Sequence, residues 1–206
     1  MATVVDLVAA WSRTSGDNLP SVRAVARELI IAGVLPKASG RRFPEMQPEH
    51  IVRLAFALYG ARRIVGAVAA ARTLWNLPLD GTPPRHRSLE RADGSFAAAP
   101  PAGETLTMLL AEHAVLAERG EGRSSRLIGA TVEVCATWPE VVITLPAPGG
   151  TALFFEPPAP AFDEDGEPRD GLRLPHLPNR RTIIPGNVFA SVLASLSAAD
   201  RARRAA

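Results

Sequence analysis

The sequence predicts an α+β fold: an N-terminal helical module, then a small antiparallel sheet with one or two packed helices. Apolar residues in the first 78 positions recur at helical spacing. After Gly120-Glu121-Gly122 the apolar period drops to two. Between these regions Pro78, Pro83, Pro84, Pro100 and Pro101 alternate with Gly81, Gly94 and Gly103, which breaks both periods. We therefore expect a helical module over 1–78, a Pro/Gly-rich linker over 79–103 and an α+β module over 104–206.

Val4, Val5, Leu7, Val8 and Trp11 predict a first helix over 3–14, ended by Thr14-Ser15-Gly16-Asp17-Asn18. A second helix follows Leu19-Pro20, with Ser21 as its N-cap, a stripe of Val22, Val25, Ala26, Leu29 and Ile30, and Gly33 as its stop. Pro48 suits the first turn of a third helix, which carries Ile51, Val52, Leu54, Ala55 and Leu58 up to Gly60. Arg62 to Leu77 reads as an alanine-rich fourth helix, whose small residues suit close packing in a core or a dimer seam. Residues 104–119 read as a fifth, with Leu106, Leu109, Leu110, His113, Leu116 and Ala117 on one side.

Alternation over 128–137 predicts a strand, Val141 to Leu145 a second, and Thr151 to Glu156 a third after Pro148-Gly149-Gly150. Residues 157–178 read as a Pro- and acid-rich loop. Arg181 to Ile184 read as a further strand, and Asn187 as the cap of a last helix with a frayed basic tail after Asp200.

The composition narrows the function. At 206 residues, 47% hydrophobic and 21% charged, the chain should fold. No apolar run approaches the ~18 residues that span a bilayer, and the first thirty residues do not resemble a signal peptide. The expectation is a cytoplasmic protein without membrane contact. Cys135 is alone, which excludes an internal disulfide and a multi-cysteine zinc site. His50, His86, His113 and His176 lack metal-site spacing, and Asp163-Glu164-Asp165-Gly166-Glu167 fails the EF-hand pattern. No catalytic residue, metal or cofactor is expected, and the protein is not read as an enzyme.

Charge is distributed unevenly. Residues 1–91 hold 13 Lys+Arg and 7 Asp+Glu, a net of +6; residues 92–206 hold 10 and 14, a net of −4. Lys37 is the only lysine beside 22 arginines. A GC-rich genome accounts for that bias; so would a need for bidentate phosphate or base contacts. The asymmetry predicts a nucleic-acid-facing N-terminal half and a protein-facing C-terminal half.

Over 3–60 the order is helix, short polar turn, capped helix, basic loop, helix. This resembles a helix-turn-helix domain, with Lys37 to Arg42 standing where a small wing would be. Arg23 and Arg27 are four apart and share a face of the second helix away from its apolar stripe. The resemblance implies that Arg23 and Arg27 read base edges in double-stranded DNA, while Ser21, Lys37, Arg41 and Arg42 hold phosphates. A structural or protein-binding three-helix domain would show the same order.

The stretch Leu19-Pro20-Ser21-Val22, Arg27-Glu28-Leu29, Ala32-Gly33-Val34-Leu35-Pro36, Gly40-Arg41-Arg42, Met46, Glu49, Leu54-Ala55 is similar to small proteins of prophages and gene-transfer-agent-like clusters in GC-rich bacteria. That similarity implies a phage-related transcription regulator or a packaging component. The leading expectation is a sequence-specific DNA-binding regulator, working as a homodimer on paired half-sites, with a C-terminal module open to a protein partner. The alternatives are a DNA-packaging subunit resembling small terminases, and a non-catalytic inhibitor or RNA polymerase-associated factor.

Overall fold

The computed structural model describes residues 2–38, 44–79, 88–90, 96–98, 100–146, 151–157 and 180–205. Among these the chain forms six α-helices and a four-stranded antiparallel sheet, helices first and most strands later, as an α+β fold.

Helix α1 (Val4–Ser15) starts at a reciprocal cap: the Thr3 backbone N–H donates to Asp6 Oδ2 at 2.6 Å, and the Asp6 N–H donates back to Thr3 Oγ1 at 3.4 Å. It ends at Gly16, whose φ of 79° is left-handed. Helix α2 (Leu19–Ile31) ends in a Schellman turn: the Gly33 N–H reaches Ile30 O at 3.1 Å and the Val34 N–H reaches Leu29 O at 2.8 Å. That turn needs the positive φ of 69° that Gly33 supplies.

Helix α3 (Pro48–Gly60) has the bounds its proline and glycine predict, and it is the central rod. Ile51, Val52, Leu54, Ala55 and Phe56 have no exposed surface, because α2, α4, α5, α6 and the sheet surround them. At its start the His50 ring nitrogen Nδ1 accepts the Gln47 N–H at 2.9 Å.

The expected fourth helix begins later than Arg62. Ala61 and Arg63 are extended, a 3-10 turn spans Ile64–Gly66, and α4 covers only Ala67–Trp75. The cause is a close crossing: a Cβ on Gly60 would strike Leu74, so the chain must reverse in an extended stretch before α4 can pack on α3.

Within the expected linker, Ser88–Glu90 (β1) and Phe96–Ala98 (β2) pair antiparallel. Asp93-Gly94 in the sequence between them is a hairpin signal. Helix α5 (Ala102–Glu118) starts two residues before its predicted place. Gly103 lets it approach α4, where a Cβ would enter the Trp75 ring.

The sheet has the order β5-β4-β3-β6, with β3 Thr131–Cys135, β4 Glu140–Leu145, β5 Thr151–Phe155 and β6 Arg181–Pro185. β3, β4 and β5 form the predicted meander, and β6 returns to the free edge of β3. The inner rows are set by register: Val132 faces Ile143 and Ile184, and Val134 faces Val141, which faces Phe155. Ile128, expected in the strand, lies before it and is exposed.

Two expectations for the last helix are corrected. It starts at Gly186 and runs to Ala205, so Asn187 lies inside it rather than capping it. The tail beyond Asp200 is helical because α1 and its surroundings hold it: Arg203 pairs with Asp6 at 2.7 Å, and Arg204 pairs with Asp200 at 2.7 Å and Glu45 at 3.7 Å. Phe189 of this helix, α6, meets Trp11 of α1 edge-on at 5.7 Å. One contiguous buried cluster therefore runs from Leu7 and Trp11 through α3 to Val132, Phe189 and Leu196. No helix among the described residues is long and apolar enough to cross a membrane.

Candidate nucleic-acid interface

α1 and α2 are joined by the short turn Gly16-Asp17-Asn18 and pack against each other. Asp17 holds the turn. Its Oδ2 accepts from Trp11 Nε1 at 3.0 Å, Ser15 Oγ at 2.8 Å and Tyr59 Oη at 2.5 Å. Its backbone carbonyl accepts the Ser12 hydroxyl at 2.6 Å. A single carboxylate thus ties the turn to the end of α1 and, through Tyr59, to α3. Burial, and then the bond to Asp17, hold the Tyr59 hydroxyl well above the usual phenol range, so it stays a donor. The sequence marked residues 14–18 as a break between helices. It did not mark Asp17, because the partner that matters, Tyr59, is 42 positions away.

The inner face of α2 is locked by Val22, Val25, Ala26 and Leu29. Arg23 and Arg27 lie one turn apart on its outer side, and both are exposed. Lys37 is exposed beyond the Schellman turn. Among the described residues none of these three has an ion-pair partner. Arg41 and Arg42 lie outside the described residues.

Ser21 is not the N-cap. Asn18 occupies that position and Ser21 is the third helical residue, because Leu19-Pro20 already have helical geometry. Pro is favoured in a first turn, so Leu19-Pro20 open the helix rather than precede it. Ser21 is exposed, and its own backbone N–H belongs to the first turn, which has no intrahelical acceptor.

The two edges of the outward arc of α2 differ. On one edge Arg23 and Arg27 rim an apolar groove of about 340 Å³ between α1 and α2, floored by Val4, Val8, Ala26 and Ile30. On the other edge Ser21 borders a cleft of about 620 Å³ against the end of α3, whose lining includes Arg62, Arg63 and Arg180. Sequence reasoning missed these three arginines. The Arg62-Arg63 pair was absorbed into a predicted helix, and Arg180 stood beside an acidic loop.

Among the described residues no group of three or more His, Cys, Asp or Glu comes together as a metal site. Cys135 is buried, with its sulfur 3.3 Å from Thr137 Oγ1. His50 and His113 are buried, and burial lowers the pKa of each. No family model, curated protein or solved structure matches the chain.

Proposed function

We propose that the protein is a sequence-specific binder of double-stranded DNA, acting as a transcription regulator through α2. The single observation that supports this most is the outer face of that helix. It carries two exposed arginines one turn apart, without carboxylate partners among the described residues, on a helix whose inner face and entry turn are rigidly held. A guanidinium forks onto the O6 and N7 atoms of guanine in the major groove, at about 1–3 kcal/mol of discrimination per good pair. Lys37, Arg41 and Arg42 then hold phosphates, which sets register without reading sequence. A homodimer would place two α2 helices on half-sites one DNA turn apart.

The test is a titration of the wild type and an Arg23→Ala, Arg27→Ala variant against genomic fragments at two salt concentrations. Salt-sensitive binding with fragment preference is expected for the wild type, and loss of preference for the variant. Undiminished preference in the variant would remove α2 as the reading helix. Absence of wild-type binding at the lower salt would end the proposal.

A further inference from the structure

We propose that the cleft between α2 and the α3–α4 turn is a second phosphate-contact surface, in which Arg62, Arg63 and Arg180 grip the DNA strand opposite the one held from the Lys37 side. This rests on the reading of α2 as the DNA-facing helix.

The first support is charge. Three exposed guanidinium groups from two distant chain segments converge on one cleft. None of the three has an ion-pair partner among the described residues. The nearby acid, Asp17, already accepts three hydrogen bonds on one oxygen. Some arginines elsewhere do meet carboxylates: Arg126 meets Glu112, Arg181 meets Glu133 and Glu140, and Arg203 meets Asp6. In the cleft three guanidinium groups outnumber the one carboxylate of the lining, Asp17, and an anion there relieves their mutual repulsion.

The second support is position. Ser21 borders this cleft, whereas Arg23 and Arg27 border the groove on the opposite edge of the same helix. A helix in the major groove, about 12 Å wide, lies between two rows of phosphates. Lys37 stands between Pro36 and Ala38, which line the groove on the Arg23 edge, and a cation on that flank alone would hold one strand. Arg62, Arg63 and Arg180 supply the other flank, and guanidinium groups match the phosphodiester fork. Arg62 and Arg63 lie in the short stretch between the close crossing at Gly60 and the 3-10 turn that begins at Ile64.

The experiment compares wild type, an Arg62→Ala, Arg63→Ala, Arg180→Ala variant and the matching Arg→Lys variant. Binding to a preferred and a random duplex is measured over a range of salt. For the alanine variant we expect weaker binding to both duplexes, an unchanged ratio between them, and a log–log salt slope shallower by about 2–3, at about 0.9 per phosphate lost. The lysine variant keeps most of the slope, which separates charge from misfolding. A wild-type slope in the alanine variant, with preference still dependent on Arg23 and Arg27, overturns this surface and leaves the α2 reading standing. A changed preference ratio also overturns it, since it would mean base contact. If the wild type binds neither duplex, both proposals fall.

Discussion

Replacing Asp17 with alanine tests how the α1–α2 turn is held. Three donors converge on its Oδ2, from Trp11, Ser15 and Tyr59. Hydrogen bonds to a charged acceptor contribute about 1.5–3 kcal/mol each, but three bonds sharing one oxygen do not add. The donors also differ in what they lose. Trp11 has no exposed surface, so its indole N–H is left without water, at about 1–3 kcal/mol. Ser15 and Tyr59 are only half-buried and can turn to solvent. We therefore expect Asp17→Ala to cost about 3 kcal/mol. For a domain of this size that is a melting point lower by roughly 6–12 °C. Asp17→Asn retains one acceptor oxygen and should lose about half as much. Urea unfolding followed by circular dichroism gives the stabilities, and a cycle with Tyr59→Phe should show a coupling above about 0.5 kcal/mol. A loss below about 1 kcal/mol for Asp17→Ala, with no coupling to Tyr59, would refute the assignment of this carboxylate as the clamp.

Acid should weaken the fold through two histidines. Burial lowers the pKa of His50 and His113 in the folded state, so the unfolded chain takes up those protons first. Stability is then full above the ordinary value of 6.5 and falls as the pH drops below it towards the folded values. Protonation of His50 also removes the Nδ1 lone pair that accepts the Gln47 N–H. Urea midpoints at pH 7.5, 6 and 5 should decline less in a His50→Gln, His113→Gln variant than in the wild type; parallel declines would contradict this. At the β6–α6 junction a Cβ on Gly186 would fall on the Leu127 carbonyl oxygen, while the Gly186 N–H donates to Ala130 O at 2.8 Å. Gly186→Ala should cost about 2–3 kcal/mol, as overpacking does, and a midpoint equal to wild type would show that the junction yields easily.

The sequence by itself determined what depends on neighbours within a few positions. Pro48 and Gly60 bound α3 because a first-turn proline and a terminal glycine act locally. Gly33 stops α2 because only a left-handed residue closes the Schellman turn. The period-two pattern located β3 and β4, and the spacing of Arg23 and Arg27 put both on the outer side of α2. Ser21 and Asn187 show the limit of that local reading. Each is a good cap by type, yet the chain enters both helices earlier, at Leu19 and Gly186.

Only the tertiary structure decided what depends on residues distant in the chain. The tail after Asp200 has no apolar stripe of its own to recommend a helix; Asp6, on the far end of the sequence, anchors Arg203 there. Asp17 becomes a clamp only once α3 delivers Tyr59. Arg180 joins Arg62 and Arg63 only because the chain enters β6 beside the end of α3. Periodicity and capping act over one or two helical turns, whereas a cleft or an ion pair is set by where the packed core brings separate segments together. No local pattern encodes that meeting.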